Sequence, residues 1–174
     1  MRVRDPEPTD AEGLGRLHAR AWQEGYKNGL MPDEFLRSIS IDDRIELWAG
    51  ILARPIRPRS ARFVSEADEN QVTGFIMVGP AEGDGDTVTG EVYSLNVDPD
   101  FWGQGHGGAL LTTATEALRR AGFSDAILWV HSQAERSRRF YEYHGWQPDD
   151  TGRTVEVLGV RVPETRYRRQ LAAT

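Results

Sequence analysis

The sequence contains no cysteine. This absence excludes disulfide bonds, thiolate metal sites and a covalent cysteine acyl-enzyme. Histidine is also scarce, and no two of the four histidines have a metal-ligand spacing such as H-E-x-x-H. We therefore predict that the protein uses no metal.

Long apolar runs are missing as well. No stretch approaches the ~18 apolar residues that a membrane span needs. The first residues, Met1 to Pro6, lack the apolar core of a secretory signal. We therefore expect a soluble, cytoplasmic protein with no membrane partner.

Basic residues are fewer than acidic ones: the sequence has 21 lysines and arginines and 27 acidic residues, which gives a net charge of −6. This balance argues against nucleic-acid binding, which depends on clustered cations. The arginines nevertheless form two clusters, at 136–139 and 166–169. Both clusters fit solvated faces, and the first also fits a contact with ligand phosphates.

The residues that are present suit one folded domain, 1–174. Hydrophobic side chains make up 39% of the 174 residues, which is enough for a single core. Thr9 and Glu12 form a capping-box pattern, Ser40 is typical of a second N-cap, and 68–71 is typical of a hairpin turn. The residue patterns predict, in order, a strand at 1–4, helices at 9–24 and 40–52, strands at 62–67, 72–78 and 91–97, a helix at 107–121, a strand at 126–130, a helix at 135–143 and strands at 155–160 and 165–169. This order predicts a mixed sheet with helices packed on it.

Glycines are concentrated between a predicted strand and a predicted helix, in Gly103-Gln104-Gly105-His106-Gly107-Gly108. Glycine lets backbone amides approach a ligand without a Cβ in the way. A helix N-terminus adds unpaired N–H groups and the positive end of a dipole. The pattern therefore suits a pyrophosphate, with Gln104 or His106 as an added side-chain donor. A tight turn without a ligand explains the pattern equally well.

Two other phosphate-binding loops have related patterns. A Walker loop ends in Gly-Lys-Ser/Thr, which Gly107-Gly108-Ala109 lacks. Gly103, Gly105 and Gly108 satisfy the dinucleotide pattern G-x-G-x-x-G, and Asp125 follows about 20 residues later. Because the strand after the helix carries no acid at its tip, a Rossmann site is the weaker alternative and stays open.

Two motifs resemble those of the GNAT acetyltransferase family. Residues 95–111 are similar to its acetyl-CoA signature, Arg/Gln-x-x-Gly-x-Gly/Ala after a strand ending in Val-x-Pro, with Trp102 at the Arg/Gln position. Residues 138–146 resemble its second signature, Arg-Phe-Tyr-x-x-x-Gly-Phe. The similarity extends to 2–52 and to the closing strand at 166–168. Two motifs in the family's order and spacing are far more specific than either alone.

The resemblance implies a fold and a cosubstrate. The expected fold is a single α/β (α+β) domain with a mixed, mostly antiparallel central sheet that splays at its centre and is flanked by about four helices. The expected cosubstrate is acetyl-CoA. The family's cofactor-binding positions correspond here to Leu95, Asn96, Val97, Trp102, Gly103, Gln104, Gly105, His106, Gly107, Gly108 and Arg138.

The resemblance also implies chemical roles. Tyr141 matches the general acid that protonates the leaving thiolate, and Glu91 matches a carboxylate that acts as the base through water. The alternatives are a packed aromatic pair with Phe140 for Tyr141, and an exposed strand-end charge for Glu91. Weaker candidates for the base are Tyr93, His18 and His131.

The remaining site residues are main-chain and aromatic groups. The amides of the splayed strand would stabilise the oxyanion. The family often carries Asn where Ala134 stands, so a polar contact there is missing or comes from a neighbouring side chain. Aromatics at helical spacing are more often core, but the resemblance allows four residues to wall the acceptor pocket: Trp22, Tyr26, Trp48 and Tyr93.

The predicted function is direct transfer of acetyl from acetyl-CoA to a primary amine of a small molecule. The acidic composition and the acidic loop 82–86 favour a cationic acceptor. Acetylation of protein N-termini or lysines is one alternative, and a non-catalytic acyl-CoA sensor is another. A homodimer is expected only from the resemblance, because members of the family often dimerise.

Overall fold

The computed structural model describes residues 1–67, 71–82 and 88–171. The predicted hairpin turn at 68–71 and the acidic loop 82–86 therefore lie almost entirely outside the described residues. Within the described residues, no helix is both long enough and apolar enough to cross a membrane.

Seven strands and five α-helices make up the described structure. Short 3-10 turns at Pro8–Asp10 and Pro99–Phe101 precede α1 and α4. The elements are β1 (Arg2–Arg4), α1 (Ala11–Gly25), α2 (Asp33–Ser38), α3 (Ile41–Ala53), β2 (Ala61–Glu66), β3 (Val72–Pro80), β4 (Thr89–Val97), α4 (His106–Arg120), β5 (Asp125–His131), α5 (Glu135–Tyr143), β6 (Gln147–Val157) and β7 (Val160–Gln170).

The strands form one sheet in the order β1-β2-β3-β4-β5-β7-β6. Every neighbouring pair is antiparallel except β4 and β5, which run parallel. The parallel pairing covers only Thr89–Val92 against Asp125–Leu128, so a gap opens where the two strands continue. The mixed, mostly antiparallel sheet that splays at its centre is therefore confirmed.

The helices cover both faces of the sheet. α4 and α5 close the larger core, whose buried members include Ile76, Leu110, Leu128 and Trp146. On the opposite face, α1 and α3 pack over Val64 and Phe75. The short helix α2, which the sequence patterns did not predict, packs its apolar residues against Val162 and its neighbours on the β6–β7 hairpin.

The start of α3 is as predicted, and the start of α1 is not. Ser40 accepts the Asp43 amide at 3.1 Å and so caps α3. The predicted capping box of Thr9 and Glu12 is wrong, because the Glu12 carboxylate instead accepts a hydrogen bond from the Arg16 side chain, one turn later in α1. Asp10 accepts the Glu7 amide at 2.7 Å, and the Arg4 guanidinium holds it there through hydrogen bonds of 2.8 and 2.9 Å.

Candidate active site

The gap between β4 and β5 exposes backbone groups of β4. The Asp98 amide donates to Thr73 O of β3 at 2.8 Å. Because hydrogen-bonding direction alternates along an antiparallel strand, the amides of Leu95 and Val97 point away from β3 and into the gap. The Asn96 amide points toward β3, so a main-chain ligand contact from Asn96 does not fit this geometry.

A β-bulge sits in β4 at the point where the gap begins. Met77 pairs with Ser94 and Val78 pairs with Val92, so Tyr93 is an extra residue in the strand. A bulge bends its strand and increases the local twist. The bulge therefore bends β4 immediately after its last residue paired with β5.

The glycine loop reaches α4 through two left-handed residues. Gly103 has φ +75° and Gly105 has φ +89°, and a Cβ built on either would find no atom within 4 Å. Gly105 caps α4 without any side-chain hydrogen bond to the helix. Among the described residues, no group accepts a hydrogen bond from the amides of residues 106–108, which leaves them available to a phosphate.

The next two glycines serve packing. A Cβ on Gly107 would lie 3.3 Å from the Phe140 ring, and one on Gly108 would lie 2.7 Å from His144 Nε2. Both neighbours belong to α5 or its last turn. Glycine at 107 and 108 therefore allows α4 and α5 to approach each other beside the gap.

A polar network that the sequence reasoning missed anchors this loop. Arg20 of α1 donates to both Asp98 oxygens at 2.8 and 2.9 Å and to Asp100 at 2.9 Å. Asp98 also accepts the Asp100 amide at 3.0 Å. The Gln104 amide group donates to Asp100 O at 2.8 Å, so its side chain supports the loop. Asp98 is thus the N-cap of the turn Pro99–Phe101, and an aspartate followed by proline is a sequence pattern typical of such a cap.

His106 turns its side chain away from the cradle. The residue is only 5% exposed, and its Nδ1 lies 2.7 Å from Thr73 Oγ1. Burial lowers the pKa of the imidazole. The prediction that the His106 side chain contacts the ligand is therefore wrong, and only its backbone N–H remains for that role.

Two arginines of the 136–139 cluster have different surroundings. Arg138 donates to Tyr167 Oη at 3.0 Å and to Ser132 O at 3.1 Å, so it braces α5 against β7. These bonds occupy Nε and Nη1 of Arg138, and its predicted contact with the cofactor stays a prediction. Arg136 instead lies with its Cζ 3.6 Å from the centre of the Trp102 ring, and the Trp102 indole donates to Val97 O at 2.7 Å. Arg136 is therefore the cluster member next to the gap and the loop.

Tyr141 of α5 is partly buried against the larger core. Its ring contacts Phe140, Trp146 and Tyr167. Burial raises the pKa of its phenol, and the Tyr26 phenol across the gap raises it further. Within 1–67, 71–82 and 88–171, no group hydrogen-bonds to the Tyr141 hydroxyl. A neutral phenol without a partner can donate its proton to a ligand atom.

Glu91 is buried on β4, beside Ile127 of β5, and is 8% exposed. Burial raises the pKa of its carboxyl group, the Glu82 amide at 3.1 Å lowers it, and the charge of Arg153 lowers it as well. The alternative of an exposed strand-end charge is therefore wrong for Glu91. A carboxylate with a raised pKa is a better proton acceptor.

The weaker candidates for the base are already engaged. The Gln133 amide donates to His131 Nδ1 at 3.2 Å, so His131 Nε2 carries the proton and donates to Leu30 O at 3.0 Å. His18 Nδ1 accepts from Trp48 Nε1 at 3.2 Å, and burial lowers the pKa of His18 to about 4. The Tyr93 hydroxyl donates to Pro80 O at 2.5 Å.

The predicted pocket aromatics divide into two groups. Tyr26 and Trp22 form one cluster, with ring centres 4.8 Å apart, and Tyr26 also lies 6.2 Å from the His131 ring. This cluster borders the gap on the α1 side. Trp48 is fully buried in the core against Phe75, so it does not line a pocket.

The comparisons with known proteins agree with this geometry. The family model described as "Acetyltransferase (GNAT) family" matches residues 17–146. A mycothiol acetyltransferase of Geodermatophilus obscurus is 36% identical over 138 residues, which cover 79% of this chain and 41% of the relative. The chain spans less than half the length of the curated relatives that it matches.

Solved structures share the fold. The PaiA N-acetyltransferase of Thermoplasma acidophilum, in complex with coenzyme A, superposes with a TM-score of 0.72 at 18% identity and covers 97% of this chain and 98% of its own. YncA of Salmonella typhimurium, with acetyl-CoA, has a TM-score of 0.70 at 22% identity and covers 100% of this chain and 95% of its own. These structures share the mixed α/β fold of this chain. The chain belongs to the GNAT acetyltransferase family.

Proposed function

We propose that the protein transfers an acetyl group from acetyl-CoA directly to a primary amine of a small molecule. The observation that carries this proposal is the gap itself. Three features support the proposal together: the amides of Leu95 and Val97 that point into the gap, the glycine loop before α4, and a Tyr141 hydroxyl that has no hydrogen-bond partner among the described residues. The relatives named mycothiol acetyltransferase support a low-molecular-weight acceptor.

The described residues fit acetyl-CoA. The open first turn of α4 would hold the pyrophosphate, and Arg136 beside it supplies a positive charge. The amides of Leu95 and Val97 would hold the extended arm in the gap by β-type hydrogen bonds. When bound, acetyl-CoA supplies the activated acyl group.

Three groups of this chain would then carry the chemistry. Glu91 accepts a proton from the acceptor ammonium, directly or through water, because an alkylamine with a pKa near ~10 is protonated at neutral pH. An amide of β4 stabilises the negative charge that grows on the carbonyl oxygen. Tyr141 gives its proton to the departing sulfur.

The absence of cysteine supports a single direct transfer, since no thiol is present to carry the acetyl group. The aromatic cluster of Trp22 and Tyr26 lies on the α1 side of the sheet and packs against β6 and β7, and the charge of Glu164 of β7 acts on both Tyr26 and Glu91. Acceptor and cosubstrate would therefore enter from opposite faces of the sheet and meet at the gap.

Thiol release from acetyl-CoA over a panel of small amines, N-terminal peptides and lysine peptides tests this proposal. The expected result is turnover of small primary amines that is lost in Tyr141→Phe. Tight acetyl-CoA binding without turnover on any amine would instead favour an acyl-CoA sensor, and turnover of peptides alone would favour a protein acetyltransferase.

A further inference from the structure

A second polar patch borders the gap on the acceptor side. Trp129 of β5 comes one residue after Leu128, the last residue that pairs with β4. Two arginines of the β6–β7 hairpin lie over its indole ring, with the Cζ atoms of Arg153 and Arg166 at 4.1 Å and 5.7 Å from the ring centre. The proposed mechanism uses none of these three residues.

Arg153 is held in place by one hydrogen bond, which uses only one of its nitrogen donors. Its Nε donates to Glu164 Oε2 at 2.6 Å, and the Glu164 side chain is only 18% exposed. The Arg153 side chain is 43% exposed. In the described part of the chain, neither terminal nitrogen of Arg153 has a hydrogen-bond partner. Stacking on one side and a carboxylate on the other therefore fix a guanidinium whose terminal N–H groups are available.

Such a guanidinium suits a planar anion. Arginine presents parallel N–H donors that match both oxygens of a carboxylate, and an arginine already oriented loses less entropy on binding. Arg166 adds a second positive charge beside it, oriented by Asp149 at 2.7 Å and Thr151 at 3.0 Å. Glu164 and Asp149 neutralise these two charges, so an anion would bind here through the unpartnered terminal N–H groups of Arg153 and not through an excess of positive charge.

The position of Arg153 relates this anion site to the amine site. Glu91 pairs with Ile127, and Trp129 lies two residues farther along β5 on the same face, so Arg153 over Trp129 lies on the same side of the sheet as Glu91 and one strand position beyond it. An acceptor with its amine at Glu91 would therefore carry any attached acidic group toward Arg153.

Resting on the proposed function, we propose that Arg153, seated on Trp129 and anchored by Glu164, binds a carboxylate of the acceptor. The acceptor is then an amine that also bears a carboxylate, as amino acids do. This inference reverses the expectation of a purely cationic acceptor, which rested on overall acidity and on loop 82–86.

The test uses matched acceptor pairs, each an amino acid and the corresponding amine without the carboxylate, with thiol release as the readout. We expect kcat/KM to be higher for the amino acid of at least one pair by about 10-fold or more. Arg153→Met keeps the stem over Trp129 and should abolish that preference, expressed as the ratio of kcat/KM for the two acceptors, so that any change acting on both through Glu91 cancels. Arg153→Lys keeps the positive charge but lacks the two parallel N–H donors, and should retain only part of the preference.

Arg161→Met is the matched control, because Arg161 is an exposed arginine of the same hairpin that pairs with Glu156 away from Trp129. Binding of acetyl-CoA by each variant shows that it is folded. Equal turnover with and without the carboxylate, or an equal loss for both acceptors in Arg153→Met, would overturn the inference while acetyl transfer stands. Failure of every acceptor of both kinds would overturn the proposed function as well.

Discussion

Replacing Tyr141 with phenylalanine removes one hydroxyl from α5. That hydroxyl makes no hydrogen bond within the described residues, whereas the ring contacts Phe140, Trp146 and Tyr167. Because phenylalanine keeps the ring, we expect the free energy of unfolding to change by less than about 0.5 kcal/mol. Acetyl-CoA affinity should change little for the same reason.

The effect on the rate should be much larger. Burial and the Tyr26 phenol raise the pKa of Tyr141, so the phenol is protonated and can act as an acid at neutral pH. A positioned general acid contributes about 10²- to 10⁴-fold in rate. We therefore expect kcat to fall by that factor, which corresponds to about 2.7–5.4 kcal/mol in the activation free energy.

Initial rates of thiol release, with calorimetric acetyl-CoA affinity measured alongside, check this prediction. Tyr143→Phe is the matched control, since it removes the same atom from the same helix at a side chain that is 86% exposed. The control should keep wild-type kinetics. A Tyr141→Phe enzyme that retains more than about a third of the wild-type kcat would refute the role of Tyr141 as the acid.

Three further variants have defined expected outcomes. Glu91→Gln should lower kcat/KM and remove the decline of kcat/KM at acidic pH. The pKa of Glu91 in the folded protein is raised above 4.5, so its buried charge destabilises the fold at high pH. Melting curves should therefore show the variant more stable than wild type above the folded pKa of Glu91, with this difference disappearing as pH falls toward 4.5. For His18, the folded pKa of about 4 lies below the ordinary 6.5, so wild-type stability should fall as pH drops from 6.5 to 4, and urea melts of His18→Gln should show a flatter profile. Tyr167→Phe removes the hydroxyl that bonds to Arg138 and Glu142, so it should lower the free energy of unfolding by about 1–3 kcal/mol in chemical denaturation with acetyl-CoA affinity retained.

Local sequence patterns predicted most of the architecture because periodicity and caps are local properties. The strands flanking the gap and the helix after the glycine loop fall within a few residues of their predicted bounds. The helix α2 was missed because its six residues are too short for a periodic signal and pack mainly against the distant β6–β7 hairpin.

The site was less predictable, because side-chain partners come from distant parts of the chain. Arg138 looked like a phosphate ligand in sequence but bonds to Tyr167, and Arg136 two residues earlier lies on Trp102. His106 looked like a loop donor but bonds to Thr73, 33 positions earlier. Only the fold brings Arg153 over Trp129, since nothing in the spacing of 129 and 153 indicates contact.

Titration calorimetry with acetyl-CoA is the most direct measurement of whether the glycine loop and the gap bind the cosubstrate. Gly105→Trp fills the open first turn of α4, and Gly29→Trp is its control, because Gly29 has φ +88° against +89° and equally open surroundings. The two variants carry the same backbone strain, so a difference between them reports the site. We predict that wild type and Gly29→Trp bind acetyl-CoA and that Gly105→Trp does not. Equal affinity in all three, or no binding by folded wild type, would contradict the placement of the cosubstrate at this loop.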